Sequence, residues 1–453
     1  MRNFALAAGL LLSSTGFSSN IAVIDSGLDY QHSELKDLIW ENSGEVFGNR
    51  IDDDENGLVD DIRGWNFANN HSILIEYADD QSYRPDISKF LDIQSRSLLG
   101  TATKGEQKWA QEILSDSEFI KSINTYLNYA HGTHVAGIMT KNLNDVKVID
   151  IRIIPGKENA EEEELRKKVV TALADGEEIN FIAEFIFKAG LKYMAYQNAK
   201  SFAAIASYLD QQNTMVANAS VGMGMAQAQG IVSPILTLLN RGKAPSIDQI
   251  NEYANFFLKQ SVMEQKKAFA NAPNTLFIFA SGNDGMDNDQ SPTVPASVRL
   301  DNTISVGASI GNRDSAPFSN YGALSVDVFA PGVGILSIAP MDRELAMSGT
   351  SQAAPYVANI ATQIRIINPE LSPLEVKGII MGTVDRKGYL GGKAYTEGVV
   401  NLMRATKAAE LSLEVSIREA IKLSKAEIAD NIEEIPDVDL PILIGKPVLP
   451  SFR

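Results

Sequence analysis

Ile21-Ala22-Val23-Ile24-Asp25-Ser26-Gly27 is a short, largely β-branched apolar run that ends in an acid and two turn residues. Four apolar residues in a row, without alternation, read as a strand buried on both faces, and Asp-Ser-Gly reads as the turn that stops it. The same grammar recurs downstream. Val146 to Ile154 is stopped by Pro155, Met215 to Ser220 by Gly222, and Thr275 to Ala280 by Ser281-Gly282-Asn283. Thr303 to Val306 and Val326 to Phe329 add two shorter runs. Helical periodicities lie between several of them. Buried strands alternating with helices predict an α/β fold, a doubly wound and mostly parallel sheet with helices on both faces. In such a sheet ligands gather outside the C-terminal strand ends. Chemistry is therefore expected in the residues just after each run.

Two stretches read as helical insertions into this frame, at about 71–128 and 157–211. In the first, Gly105 to Asn128 is a helical candidate with apolar residues at Trp109, Ile113, Phe119, Ile123 and Leu127. The second opens on Glu161-Glu162-Glu163-Glu164. Its Glu177 to Leu209 carries Phe181, Ile182, Phe185, Ile186, Leu191, Met194, Phe202, Ile205 and Leu209 at mixed three- and four-residue spacing. That stripe reads as a helix packed on the main domain rather than one reserved for a partner. The expected layout is a main domain over 20–410, then 411–453 as a C-terminal helix and tail. Leu411 to Ile432 has a charged helical pattern, and Asp437 to Arg453 has Pro436, Pro441, Pro447 and Pro450 in or beside it.

The chain has 453 residues, 44% apolar and 21% charged, as in ordinary globular enzymes. Its net charge of −17 makes it a poor binder of nucleic acid or anionic lipid. It has no cysteine, so a disulfide framework, a cysteine nucleophile and a thiolate metal site are excluded. Met1-Arg2-Asn3 is a basic start, Phe4 to Leu12 an apolar run, and Ser13 to Asn20 small and polar. That order predicts a cleaved signal peptide over residues 1–19 and a secreted or periplasmic protein. The apolar run is too short to cross a bilayer, and no membrane span is expected in the mature protein.

The histidines are His32, His71, His131 and His134, and the last two share one motif, His131-Gly132-Thr133-His134-Val135-Ala136-Gly137. Far downstream, Gly349-Thr350-Ser351-Gln352-Ala353-Ala354-Pro355 opens an apolar helical run, Tyr356 to Ile367. A serine there sits at a helix N-terminus, where unpaired N–H groups and the positive dipole end are available. Such a serine can be a nucleophile if a base and an orienting acid reach it. Asp25 ends a buried strand, His131 opens a helical run, and Asn283 follows the strand at Phe277 to Ala280, where its amide could donate to an oxyanion. Each residue alone is more simply a turn or cap residue. The joint pattern carries the reading.

That joint pattern resembles the subtilase family of serine endopeptidases. Three signature segments stand in the family's order: Ile21 to Gly27, His131 to Gly137 and Gly349 to Pro355. The resembling segments, roughly 20–68, 129–155, 213–224 and 272–404, cover about half the chain. The resemblance implies a subtilisin-like fold and a catalytic triad of Asp25, His131 and Ser351, with Asn283 in the oxyanion hole. It implies peptide bound along Ser220-Val221-Gly222, and pocket walls at Ala280-Ser281-Gly282 and Val294-Pro295-Ala296. Those walls are uncharged, so a weak preference for apolar or aromatic residues at the scissile bond is expected. The first histidine of the motif would be the base and His134 a helix-packing residue; His32 and His71 are expected at the surface. Protein or peptide substrates are implied, and no cofactor is required for catalysis.

The chain departs from the family in two ways. Gln352 stands where the family most often has Met. The family also usually carries a sizeable pro-domain, so either folding here needs none or the chain's start is incomplete. The residues speak against two other functions. A non-catalytic binding module on the same fold would leave the set of Asp25, His131, Asn283 and Ser351 without purpose. An α/β-hydrolase esterase would need Gly-x-Ser-x-Gly and the order Ser, acid, His, and this chain has neither.

Asp52-Asp53-Asp54-Glu55-Asn56-Gly57-Leu58-Val59-Asp60-Asp61 holds six acids and no base. Asp52, Asp54, Asn56, the Leu58 carbonyl and Asp60 fall at positions 1, 3, 5, 7 and 9 of a calcium loop, with Gly57 at 6. Arg63 stands where the bidentate Glu belongs. The segment is thus read either as a structural calcium site or as an acidic surface turn.

Overall fold

The computed structural model describes residues 19–154, 181–240, 242–431 and 444–445. Most of the expected signal segment, Pro155, Glu161 to Glu164, and Asp437 to Arg453 apart from Ile444 and Gly445 lie outside the described residues, as do the side chains of Phe181 and Ile182.

The strands are β1 (Asn20–Asp25), β2 (Gly64–Asn66), β3 (Lys147–Arg152), β4 (Val216–Ala219), β5 (Leu276–Ala280), β6 (Thr303–Ile310), β7 (Asp314–Ser315), β8 (Val328–Pro331), β9 (Ile335–Ala339), β10 (Arg343–Met347), β11 (Asp385–Arg386) and β12 (Gly398–Val399). The main sheet runs β11-β12-β8-β6-β5-β4-β1-β3-β2, with β7 paired to β6. Neighbours within it are parallel except β11 with β12 and β6 with β7. The expected doubly wound, mostly parallel sheet is what the chain forms.

Period-two alternation explains why the strand sequences are apolar throughout. On β1, Ile21 and Val23 enter one core while Ala22 and Ile24 enter the other. On β5, Leu276, Ile278 and Ala280 face the first core, and Phe277 and Phe279 the second. A sheet covered on both faces leaves its strands no solvent side on which to place polar residues.

The helices are α1 (Pro85–Leu98), α2 (Lys104–Ile113), α3 (Ser117–Thr140), α4 (Phe181–Gln211), α5 (Met225–Leu239), α6 (Ile247–Phe269), α7 (Thr350–Ile367), α8 (Pro373–Gly382), α9 (Leu402–Leu411) and α10 (Ile417–Glu427). Val135, Ala136 and Met139 of α3 and Val357, Ile360 and Ile364 of α7 fill the first core. Leu191, Phe202 and Ile205 of α4 and Phe257 of α6 fill the second. Of the stripe read from the sequence of α4, Leu191, Met194, Phe202, Ile205 and Leu209 pack in this core, whereas Phe185 and Ile186 are exposed.

Two expectations about the first insertion need correction. The single helix from Gly105 to Asn128 is two helices, and α1 precedes them. The break falls at Leu114-Ser115-Asp116, where the Asp116 side chain accepts from the Glu118 N–H and starts a new helix. His131 does not open a helix; it sits in the interior of α3, which runs unbroken from the insertion to Thr140. His32 is also not at the surface. It is 3% exposed, its Nδ1 accepting from the Glu34 N–H at 3.2 Å and lying 3.6 Å from Asp342 in the turn between β9 and β10. His71 is half-buried.

Candidate active site

Asp25 is the last residue of β1 and has no exposed surface. Its Oδ1 accepts from the Ser26 N–H at 2.8 Å and from His131 Nδ1 at 2.8 Å. A carboxylate there fixes Nδ1 as the protonated nitrogen, leaving Nε2 as a base. Nε2 is buried and has no hydrogen-bond partner among the described residues. The approach of α3 to the β1 turn depends on glycine. A Cβ on Gly132 would lie 2.4 Å from the Gly27 carbonyl oxygen, so any larger residue would push the base away from its acid. The Ser26 hydroxyl and the Thr133 hydroxyl complete the joint, accepting from Gly132 N–H and Asp29 N–H.

Ser351 is the second residue of α7 and is buried. Its Oγ donates to the Ser220 carbonyl at 3.4 Å, turned toward the end of β4. Pro355 lies four residues on and has no N–H, so the helix cannot supply a donor to the Ser351 carbonyl. The Ser220 hydroxyl supplies it instead, donating to Ser351 O at 3.0 Å while accepting from Asn218 Nδ2 at 2.9 Å. A proline inside the first turns and a serine at a strand end are thus two halves of one contact.

Asn283 is held by Thr350. The Thr350 N–H and hydroxyl both donate to Asn283 Oδ1, at 2.9 and 2.8 Å. With the oxygen end so engaged, the amide nitrogen lies on the side of Gly349, where a Cβ would be 3.4 Å from Nδ2. The Thr350 hydroxyl also accepts from Gly282 N–H at 3.2 Å. Of the residues expected to line the substrate, Ser220, Val221 and Gly222 follow β4, while Ala280 ends the adjacent β5 and Ser281 and Gly282 follow it. Val221 and Ala280 are fully buried in the cores and can offer a peptide only their backbone. The Ser281 hydroxyl is likewise turned away, donating to Asn320 O at 3.0 Å.

His134 lies one turn beyond His131. Its Nε2 donates to Leu345 O at 2.9 Å, which makes Nδ1 an acceptor, and Gln352 Nε2 approaches that nitrogen at 3.5 Å. Complete burial pushes its pKa down to about 4. Thr350 and Gln352 were not read from the sequence as site residues. The available signals were their place on either side of Ser351 and, for Gln352, its standing where the family most often has Met. Asp150 was also missed. It is buried on β3, accepts from Leu28 N–H at 2.9 Å, and burial pushes its carboxyl up to about 8.

In the acidic loop, Asp52 and Asp54 come together with Glu45, their ligating oxygens within 4.8 Å of one another. The Asn56 side-chain oxygen accepts from Leu58 N–H, and the two Asp60 oxygens accept from Gly48 and Arg50 N–H. Oxygens of Glu45, Asp52 and Asp54 likewise accept from N–H groups of the loop. Among the described residues, Glu45, Asp52 and Asp54 are carboxylates close enough together to share one cation, and such oxygens are the hard ligands calcium takes. Glu45 precedes the acidic run and escaped the loop-position reading.

Residues 18–402 match the subtilase family. The alkaline elastase YaB of Bacillus sp. (strain YaB) is 30% identical over 213 residues, 47% of this chain and 52% of that protein. Subtilisin-like protease 1 of Plasmodium falciparum (isolate 3D7) is 27% identical over 426 residues, 92% of this chain and 45% of that protein. The chain thus spans about half the length of these relatives. Among solved structures, a cold-adapted subtilisin-like serine proteinase is 19% identical with a TM-score of 0.42, covering 84% of this chain and 86% of that one. With the match extending over most of its length, this chain is a member of the subtilase family.

Proposed function

We propose that the protein is a subtilisin-like serine endopeptidase acting through Asp25, His131 and Ser351. The observation that carries this is the buried Asp25–His131 contact of 2.8 Å, which leaves Nε2 as a base without a partner among the described residues. Ser351 Oγ turns from the Ser220 carbonyl toward Nε2, gives up its proton and bonds to the scissile carbonyl carbon. The Asn283 amide and the Ser351 N–H donate to the resulting oxyanion. Collapse breaks the C–N bond, and the imidazolium returns its proton to the leaving amine. Water then cleaves the acyl-enzyme with His131 again as base. Asp25 holds the tautomer and stabilises the imidazolium. A peptide lying along Ser220-Val221-Gly222 would be held by backbone hydrogen bonds, as an added strand.

A serine-directed fluorophosphonate should label Ser351, and casein should be cleaved, which an esterase would not do. Absence of both labelling and cleavage would leave only a binding role. Calcium at Glu45, Asp52 and Asp54, and export of the protein as a secreted or periplasmic enzyme, are part of the same reading. Intact Met1 on protein in the cytoplasm would overturn the export but not the chemistry. No helix among the described residues is long and apolar enough to cross a membrane.

A further inference from the structure

β1 stops at Asp25 and the chain turns at once, so the turn that follows the acid of the triad must be held in place. The Leu28 N–H donates to Asp150 Oδ2 at 2.9 Å, and the Asp29 N–H to Thr133 Oγ1 at 2.9 Å. In the register of β1 with β3, Asp150 stands opposite Val23 and Arg152 opposite Asp25. Period two therefore puts Asp25, Asp150 and Arg152 on one face of the sheet. Asp150 is 2% exposed, and its Oδ1 is buried without a hydrogen-bond partner among the described residues. The charged groups around it are engaged elsewhere. Arg152 directs Nε to Ile154 O at 3.2 Å and Nη1 to Leu74 O at 3.1 Å, and its Nη2 stands 3.9 Å from Glu76 Oε1. Asp29, beyond Leu28, accepts from the Tyr77 hydroxyl and the Met341 N–H. β2, paired with β3, is Gly64-Trp65-Asn66 and has no ionisable side chain. Arg63, just before it, is turned to Glu41 at 3.5 Å. That leaves Asp25, a carboxylate whose charge the triad needs.

We propose that Asp150 is a positioning residue for the triad, an uncharged carboxylic acid that pins the turn after Asp25, so that its ionisation unseats His131. The inference rests on the endopeptidase reading. A second carboxylate ion buried beside Asp25 would lack both water and a hydrogen-bonded cation, and an ion so placed takes up a proton instead. Burial above all, and the charge of Asp25 in addition, push the Asp150 carboxyl up to about 8, against the pull of the Leu28 N–H and of Arg152. The route to the base is short. Leu28 follows Gly27, and Gly132 of α3 rests on the Gly27 carbonyl, where a Cβ would lie 2.4 Å from the oxygen. When Asp150 ionises, repulsion between two carboxylates on one sheet face strains this turn, and His131, next to Gly132, moves with its seat.

The test compares kcat and KM for an internally quenched casein peptide, from about pH 6 to about pH 10, in the native protein, Asp150→Asn and Asp150→Leu. Asparagine keeps an acceptor for the Leu28 N–H and cannot ionise. The native protein should lose kcat/KM roughly tenfold per pH unit above about 8, mostly in kcat. Asp150→Asn should lack that alkaline fall. Asp150→Leu, without the acceptor, should be slower than Asp150→Asn at every pH by roughly tenfold or more. Melting temperatures give a second readout. The unfolded carboxyl titrates near 3.8 and the folded one near 8, so the folded state holds an extra proton between these values. Stability falls as pH rises through that window, and the native melting temperature should drop relative to that of Asp150→Asn. A residue that only fills space would give both proteins the same pH dependence. Matching activity profiles in these two proteins would overturn the proposal, as would matching melts, or a folded Asp150→Asn as slow as Asp150→Leu. If Asp150→Leu does not fold, the comparison with Asp150→Asn decides alone. If fluorophosphonate labels Ser351 and casein is cleaved in those cases, the assignment of Asp150 fails alone. If neither occurs, the endopeptidase reading fails and the positioning role falls with it.

Discussion

Two histidines one turn apart on α3 are equally buried and chemically opposite. Around His131, Nδ1 meets a carboxylate and Nε2 meets no partner. Around His134, Nε2 meets a backbone carbonyl and Nδ1 the amide of Gln352. Burial alone does not make a base. What each ring nitrogen touches fixes the tautomer, and the tautomer fixes whether a lone pair is available. His131 keeps an Nε2 lone pair that no described residue engages. His134 is built to stay neutral and tie α3 both to β10 and to the start of α7.

The largest effects should break this contrast on the catalytic side. Ser351→Ala and His131→Ala should each lower turnover by roughly a million-fold, a magnitude carried over from subtilisin, of the same family. Their double variant should be little worse, since the two act as one unit, and single-turnover kinetics would reveal any additivity. Asn283→Ala should cost turnover roughly a hundred- to a thousand-fold with a smaller change in KM, because its hydrogen bond strengthens at the transition state.

His134→Ala should do the reverse, lowering stability while the folded fraction keeps turning over. Dead His134→Ala beside active His131→Ala, both folded, would reverse the assignment. The pH dependence sharpens the point. His134 has a folded pKa of about 4, below its unfolded value of 6.5, so the folded state binds fewer protons between them. Its contribution is full above pH 6.5 and is lost as pH falls toward 4, by about 3 kcal/mol over that window. Denaturant melts of the native protein and of His134→Ala across this range should show the slope weakened in the variant. The smallest effect concerns calcium. Chelation should lower the melting temperature by a few degrees, as removing a ligand of the folded state does, and Asp54→Ala should abolish the response. An unchanged melting temperature in the native protein would leave the loop as an acidic turn.

The alternation of buried strands and the polar residues at their ends were legible because a two-sided sheet leaves no other place for chemistry. Asp25, Asn283 and Ser351 all follow that rule or sit at a helix start. The break before α3 was legible in principle. Ile113 and Phe119 are six residues apart, which on one continuous helix would put them about 120° apart and so on different faces. His32 could not be placed, because what buries it is a turn some 300 residues away. Asp342 and Met341 enter that turn at positive φ without a glycine to announce it. Glu45 was hidden differently: it stands just ahead of the acidic run and joins Asp52 and Asp54 only through the folding of the loop.

The unbroken course of α3 makes the insertion a lever. Phe119, fixed among Phe90, Tyr126 and Leu127 at one end, and His131 near the other are joined by a single rod about 18 Å long. A tilt of only about 3° about the Phe119 end would carry the imidazole about 1 Å, a misplacement of the size that can cost about a hundredfold in rate. Repacking the small helical cluster around Phe119 is therefore a way to retune the distance between His131 and Ser351 without touching either of them.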